Sequence, residues 1–429
     1  MRIITALEFE GYWKDRGSAG DEGAVEQMVR EVISAVRLEG DRAVKRFASR
    51  WDRSSPEVLE VPRSVAEAEL ARLRIEEADL VEALEYSREN IRRFAQLQRA
   101  QIQDFEVEID RGLFTGQRVV PVQRVAVYVP AGRFPLVSTV LMGLVPATVA
   151  GVAETILLSP PGADGLPDRR ILATAALAGV HRIFAVGGAQ AIAAAALGTE
   201  TIPRSDVVVG PGNRFVAAAK RLMYGSVGID FVAGPTDVLV IADGSASPDL
   251  VASDLLAQAE HDAEARARAL VPDRDFAQRL VAALDRRLED LPTAEIARAS
   301  LDAGGVAIIY GNPAEAREIA DTVAPEHLEL QVADAPSWVP LLRNYGSLFI
   351  GSRSAEALGD YSAGINHTLP TSGSARFTGG LSVRHFIKIL TTLRCTDGEG
   401  FVRARGAAIV LAQAEGLEAH GQSARARSL

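Results

Sequence analysis

In the stretch Ala324-Pro325-Glu326-His327-Leu328-Glu329-Leu330 a carboxylate and an imidazole stand next to one another. An imidazole titrates near neutral pH and a buried carboxyl can be tuned upward, so the two can divide general-base duty between different protons. Pro325 disfavours helix at Ala324, and Leu328 and Leu330 alternate with polar neighbours, which places Glu326 and His327 where a loop enters a strand. The same seven residues also fit a strand-edge glutamate and a core histidine held by backbone bonds.

A second constellation has the donor types of a metal site. Gln258 and His261, in Ala257-Gln258-Ala259-Glu260-His261-Asp262, are three apart on an expected helix and face the same way. That spacing suits two ligands of one ion, although a solvated helix face has the same pattern. Asp360 in Gly359-Asp360-Tyr361 and His420 in Glu418-Ala419-His420 complete a nitrogen and oxygen set suitable for Zn²⁺. With Asp360 as the one charged ligand, the site would stay net positive and act as a Lewis acid. It could then hold a substrate amine or imidazole unprotonated. No H-E-x-x-H motif is present, so spacing alone leaves the metal unproven.

The elements that must carry these residues read as alternating strands and helices. Apolar positions at Val25, Met28, Val29, Val32, Ile33 and Val36 predict a helix stopping at Gly40, and a long charged helix is expected over 76–99. From Arg124 the character changes. Strand 124–129, helix 137–152, strand 155–159, helix 169–178, strand 182–186, helix 189–197, strand 206–209 and helix 213–223 make a βαβ series, which argues for a largely parallel sheet. Loops after its strands hold Tyr128, Gly187-Gly188-Ala189-Gln190 and Gly210-Pro211-Gly212-Asn213, where ligands gather in open α/β sheets. A nucleotide fits there, as do ordinary turns; neither G-x-G-x-x-G nor a P-loop occurs.

A second α/β pattern follows: strand 238–242, a helix from Pro248 to about Ala267, helix 273–290, strand 305–310, helix 313–322, and strands 328–332 and 347–350. Residues 359–380, rich in Gly, Ser and Thr, suggest an ordered functional loop. A helix over 382–390, another from about Gly400 to Ala419 and a loose tail from Gly421 are expected. No internal sequence repeat of 20–50 residues is visible.

Composition bounds the function. The 429 residues, 48% hydrophobic, are enough for two or three domains with substantial cores. A net charge of −10 with interspersed signs argues against nucleic acid as a partner. One cysteine, Cys395, excludes an intramolecular disulfide framework, which fits a reducing compartment. With no apolar signal core at the start and no run of about 18 apolar residues, the expectation is a cytoplasmic protein.

Taken together, the motifs resemble the histidinol dehydrogenase family along nearly the whole chain. The resemblance is carried by Tyr128-Val129-Pro130, Gly187-Gly188-Ala189-Gln190-Ala191-Ile192, Val209-Gly210-Pro211-Gly212-Asn213, Ala233-Gly234-Pro235-Thr236, Gln258-Ala259-Glu260-His261, Pro325-Glu326-His327, Gly359-Asp360-Tyr361, Asn366-His367-Thr368-Leu369-Pro370-Thr371 and Ala414-Glu415-Gly416-Leu417. It implies a zinc- and NAD-dependent enzyme of the last two steps of histidine biosynthesis. Gln258, His261, Asp360 and His420 would bind one Zn²⁺ per subunit, and Glu326 and His327 would be the acid/base pair. Thr236, His327, Asp360, His367 and Glu415, together with the metal ligands, would contact the substrate. Tyr128, Gln190 and Asn213 would contact NAD.

The implied fold is two α/β parallel-sheet domains of incomplete Rossmann-like character with helical N- and C-terminal arms. Its expected division is an arm over 1–27, a discontinuous catalytic domain over 28–127 and 238–377, an inserted NAD domain over 128–237, and a C-terminal arm over 378–429. That arm would reach the partner's active site in a homodimer, so that Glu415 and His420 serve in trans. Arg133 departs from the family's small or uncharged residue, and Phe377-Thr378-Gly379-Gly380-Leu381-Ser382-Val383 resembles a related branch that oxidises a sulfonated diol. Glu415 and His367 favour histidinol, since a carboxylate and an imidazole suit an amino-imidazole better than a sulfonate. The rivals from other classes are a zinc hydrolase, with Glu326 or His327 activating a metal-bound water, and a nonenzymatic metal-binding protein.

Overall fold

The computed structural model describes residues 1–14, 22–131 and 134–427, so Arg133 lies outside the described residues. In chain order its strands are β1 (Arg2–Thr5), β2 (Glu60–Val61), β3 (Phe105–Asp110), β4 (Leu113–Pro121), β5 (Arg124–Tyr128), β6 (Glu154–Ser159), β7 (Arg182–Ala185) and β8 (Val207–Val209). There follow β9 (Gly228–Ile229), β10 (Asp237–Ala242), β11 (Arg266–Val271), β12 (Val306–Ile309), β13 (His327–Gln331), β14 (Ser347–Ile350) and β15 (Ile387–Cys395).

Runs such as Val125-Ala126-Val127 and Val238-Leu239-Val240-Ile241 have no polar face, so each needs cover on both sides. Two six-stranded sheets supply it, ordered β2-β7-β6-β5-β8-β9 and β1-β12-β11-β10-β13-β14. All pairings in both are parallel except β2 with β7. The order itself repeats. In each sheet a central strand (β5 or β10) is followed by two strands to one side (β6, β7 or β11, β12) and then two to the other (β8, β9 or β13, β14). The repeat is therefore one of topology, spanning units longer than the 20–50 residues over which no internal sequence repeat is visible.

Helices cover the sheets. The segments Val137–Ala150 and Gly188–Leu197 are buried almost all round, the second through alanines that permit close approach to the strands. Helices Glu22–Glu39 and Asp41–Trp51 place Val29, Val32, Val36 and Val44 in one core with Ala126, Ile156 and Ile192, so they cover the first sheet. The expected grouping of 28–127 with the second sheet does not describe them: an apolar stripe is visible in sequence, but the surface it packs on is not. Likewise β1, expected within an N-terminal arm, is the edge strand beside β12.

The C-terminal expectations also change. Val383–Phe386 is a single 3₁₀ turn, and Ile387–Cys395 is a strand antiparallel to β4, where a helix over 382–390 was expected. Ile387, Ile389, Thr391 and Thr392 are β-branched, and β4 and β3 complete a three-stranded sheet. Gly416 at φ 72° divides the expected last helix into Glu399–Ala414 and Glu418–Arg425, so the first part of the tail is helical. The helix from Pro248 stops at Ala259, and Arg266–Val271 becomes β11.

Candidate active site

Ala324 caps the helix Pro313–Val323 in the left-handed region at φ 48°, a conformation costing a non-glycine residue roughly 1 kcal/mol or more. The turn delivers Glu326 and His327, both buried, to the start of β13. Because β13 lies beside β10, the pair meets Thr236 and Asp237 at the start of that strand. Glu326 Oε2 accepts from Thr236 Oγ1 at 2.5 Å and from the Asp237 N–H at 3.0 Å, and Asp237 Oδ1 accepts the Glu326 N–H at 2.9 Å. Asp237 also pairs with buried Arg268 at 2.7 Å. Burial pushes the Glu326 carboxyl up to about 7, against the opposing influence of His327 and Thr236.

Three carboxylates surround the imidazole of His327. Nδ1 lies 3.6 Å from Glu356 Oε1 and 3.9 Å from Glu326 Oε2, while Nε2 lies 3.5 Å from Asp360 Oδ1. Burial lowers the imidazole's proton affinity, but Glu356, Glu326 and Asp360 outweigh it and hold the ring well above its ordinary value. Glu356 is pushed well above the carboxylate range by burial. Asp360 is held low because His327, His367 and His261 together exceed its burial. Gly359 lets helix Glu356–Tyr361 come this close, since a Cβ there would fall 2.6 Å from Phe349 Cε1.

The donor set fits a cation. Ligating atoms of His261, Glu356 and Asp360 lie within 4.8 Å of one another. One terminal atom of the Gln258 amide lies 2.6 Å from Thr236 Oγ1, and the other lies 2.7 and 3.2 Å from the two Glu356 oxygens. With nitrogen on Thr236, the amide oxygen faces carboxylate oxygens, and a cation between them satisfies all of them. With the amide turned over, nitrogen donates to Glu356 instead. Buried Asp360 Oδ1 and both ring nitrogens of His327 have no hydrogen-bond partner, as expected of groups that serve an ion or a substrate.

His367 joins this site to the first sheet. Its Nδ1 is 3.0 Å from the Asp360 carbonyl oxygen and its Nε2 is 3.2 Å from Thr139 Oγ1, in the first turn of Val137–Ala150. That turn follows β5, so the carboxyl edge of the first sheet meets the amino edge of the second. At the carboxyl edge the strand order reverses between β5 and β8. Buried Tyr128 ends β5, and its hydroxyl accepts from the Gly188 N–H at 3.2 Å. Buried Gln190 Nε2 donates to Asp52 Oδ2 at 3.4 Å, whereas Gln190 Oε1 has no partner. Asn213 caps Arg214–Met223 through the N–H groups of Phe215 and Val216. Burial raises the Tyr128 hydroxyl to about 12 and the Asp52 carboxyl to about 6.

Thr236, Gln258, His261, Glu326, His327, Asp360 and His367 are thus gathered by the fold, with Tyr128, Gln190 and Asn213 along the first sheet's edge. Glu415 and His420 are not part of the gathered cluster; both are exposed on the C-terminal helical segment. Sequence reasoning missed Glu356, Asp237 and Asp52. Glu356 had a signal, standing four residues before Asp360 on one helical face. Asp237 had none beyond adjacency to Thr236, and Asp52 is brought in from 135 residues away by its contact with Gly187.

Two doubly wound parallel sheets with a buried Glu–His pair beside a cation-competent cluster define an α/β protein whose site carries the groups that proton transfer needs. The family model for histidinol dehydrogenase matches residues 15–428. The histidinol dehydrogenase of Thermus thermophilus is 47% identical over 98% of this chain and 98% of its own. That of Pseudomonas aeruginosa is 44% identical over 95% of this chain and 92% of its own. A crystal structure of histidinol dehydrogenase from Elizabethkingia anophelis superposes with a TM-score of 0.91 at 33% identity, covering 99% of this chain and 96% of that one. The chain belongs to the histidinol dehydrogenase family and is an oxidoreductase. Among the described residues no helix is long and apolar enough to cross a membrane.

Proposed function

We propose that this chain oxidises L-histidinol through L-histidinal to L-histidine with NAD, as a cytoplasmic homodimer. The observation that carries the reading is the meeting of Glu326, His327 and the Gln258/His261/Asp360 cluster at the edge facing the first sheet's switch point. Gln258, His261 and Asp360, with His420 from a partner subunit, would hold Zn²⁺. When bound, the ion supplies a Lewis acid that favours unprotonated substrate nitrogens. NAD, held along Tyr128, Gln190 and Asn213, supplies the hydride acceptor.

The chain's own groups divide the proton work. His327, in its neutral form, takes the alcohol proton as hydride leaves the carbinol carbon, giving the aldehyde; a cation held by Asp360 would offset the carboxylate field that otherwise keeps the ring protonated. Glu326 removes a proton from water as its oxygen adds to that aldehyde, and the hydrate then gives its hydride to a second NAD and its hydroxyl proton to His327, which has released the first proton to solvent. Thr236 fixes the Glu326 carboxyl, and Glu356 stands at Nδ1 of His327. His367 and Thr236 would orient the substrate, with Glu415 completing the contacts from the partner. In this reading the first sheet's unit binds NAD, the second carries the acid/base pair, and the C-terminal segment crosses to the other subunit.

The named relatives favour histidinol over the sulfonated diol. The test is NADH absorbance with limiting histidinol and excess NAD, beside the diol. About two NADH per histidinol are expected from successive hydride transfers. Turnover of the diol alone would move the substrate, and no NADH from either would favour a hydrolase.

A further inference from the structure

Lys220 is 1% exposed, and its ammonium pairs with the equally enclosed carboxylate of Asp230. Burying an ion pair costs desolvation that is offset only when the remaining hydrogen-bonding capacity is also used. Here much of it is used on one residue. Lys220 Nζ donates to the carbonyl of Gly210 at 2.9 Å, and Asp230 Oδ2 accepts the N–H of the same Gly210 at 2.8 Å. Asp230 Oδ1 accepts the Phe231 N–H at 2.8 Å, which fixes the carboxylate in turn. The pair therefore grips both backbone polar groups of the residue that leaves β8.

Gly210 has φ 116°, and a Cβ there would fall 2.1 Å from the Tyr128 carbonyl oxygen, so the loop lies directly against the end of β5. Three residues later Asn213 caps the helix Arg214–Met223, and that helix returns Lys220 to Gly210. The ring closed by Gly210, Asn213 and Lys220 lies beside the reversal of strand order between β5 and β8.

We infer that Lys220, locked by Asp230, is a positioning residue for dinucleotide binding: it holds the Gly210–Asn213 loop in the conformation that receives NAD, without touching the reacting atoms. This rests on the proposal that NAD lies along Tyr128, Gln190 and Asn213. A purely architectural ion pair would alter stability and leave cofactor affinity alone.

The test measures NADH affinity by fluorescence titration, alongside KM for NAD, KM for histidinol and kcat, in wild-type protein and Lys220→Met. We expect the NADH dissociation constant and KM for NAD to rise about tenfold or more, one lost positioning interaction being of that order, while KM for histidinol and kcat at saturating NAD stay within about threefold. Lys220→Arg, which keeps a cationic donor, should recover part of the loss. Unchanged NADH affinity in folded Lys220→Met overturns the inference. If that variant does not fold, Asp230→Asn serves, since it keeps an oxygen for the Gly210 N–H but drops the charge; unchanged affinity there overturns it equally. Hydrogen exchange in wild-type protein separates the two readings: NAD should slow amides in 209–216, and if it does not, the cofactor assignment itself fails. Slowing in wild type with unaltered affinity in the variants defeats only the role of Lys220.

Discussion

Glu326 and Asp237 bond reciprocally, each carboxylate accepting the other's backbone N–H at 3.0 and 2.9 Å. The exchange staples the entrances of β13 and β10, the strands flanking the second sheet's switch point. It also leaves Glu326 with a fixed rotamer and Asp237 with a second oxygen for Arg268. Held this way, the proposed base needs no reorganisation when its proton arrives.

Glu326→Gln should separate the two oxidations. Glutamine keeps an oxygen for Thr236 and Asp237 but cannot take a proton from water, so histidinal oxidation should fall by about 10²–10⁴ while alcohol oxidation falls far less. Since burial places the Glu326 carboxyl at about 7, wild-type histidinal oxidation should rise with pH through that value as the basic form appears. The variant should lack this limb. Equal losses in both steps, measured with each substrate separately, would remove Glu326 from water activation.

His327→Gln should slow both steps, by about 10²–10⁴, because each hydride departure requires an oxygen-bound proton to leave. The check is turnover on histidinol and on histidinal with excess NAD. Near-normal rates on both would take the imidazole out of the mechanism.

Glu329 gives a prediction about stability. It faces away from solvent on β13, shares a hydrogen bond with Asp254 and accepts the Glu356 N–H at 3.0 Å. Burial, with Asp254 adding to it, raises its carboxyl from 4.5 to about 8. The folded protein therefore keeps a proton that the unfolded chain releases, and stability falls as pH rises between those values. Glu329→Gln, a mimic of the protonated side chain, should match wild type in Tm near pH 5 and exceed it near pH 8.5. An identical Tm difference at both pH values would show that Glu329 does not titrate this way.

Chelation tests the cation cluster. With His261, Glu356 and Asp360 oxygens and nitrogens within 4.8 Å, removing an ion should abolish NADH production and lower Tm. Zn²⁺ at a hundredfold excess over its dissociation constant restores about 2.7 kcal/mol of stability by mass action. Full activity in protein verified as metal-free would defeat the assignment.

What the chain made legible was local. The βαβ series from Arg124 and the turn before Glu326 follow from periodicity and proline chemistry acting over a few residues, whereas His261, expected on one helical face with Gln258, lies in the turn after that helix ends at Ala259. Which sheet a stripe covers was not legible: Val29 and Val36 look alike whether they pack on the first sheet or the second. Asp52 and Lys220 carried no signal either, because their partners at Gly187 and Gly210 are set by tertiary closure. Ile387–Cys395 fits helix and strand alike until β4 lies beside it.

Mixed subunits test whether the site is completed in trans. Glu415 and His420 sit on a C-terminal segment that leaves Val410 63%, Leu411 62% and Leu417 44% exposed, an apolar surface that a partner subunit would cover. His327→Gln and His420→Ala should each be inactive alone. If His420 acts across the dimer, a heterodimer of the two holds one site with both lesions and one with neither. Random reassociation then restores about a quarter of wild-type activity, half the dimers being mixed and half their sites intact. If His420 acts within its own subunit, every site keeps one lesion and the mixture stays inactive. Differently tagged subunits show that exchange has occurred, so an inactive but exchanged mixture would exclude completion in trans.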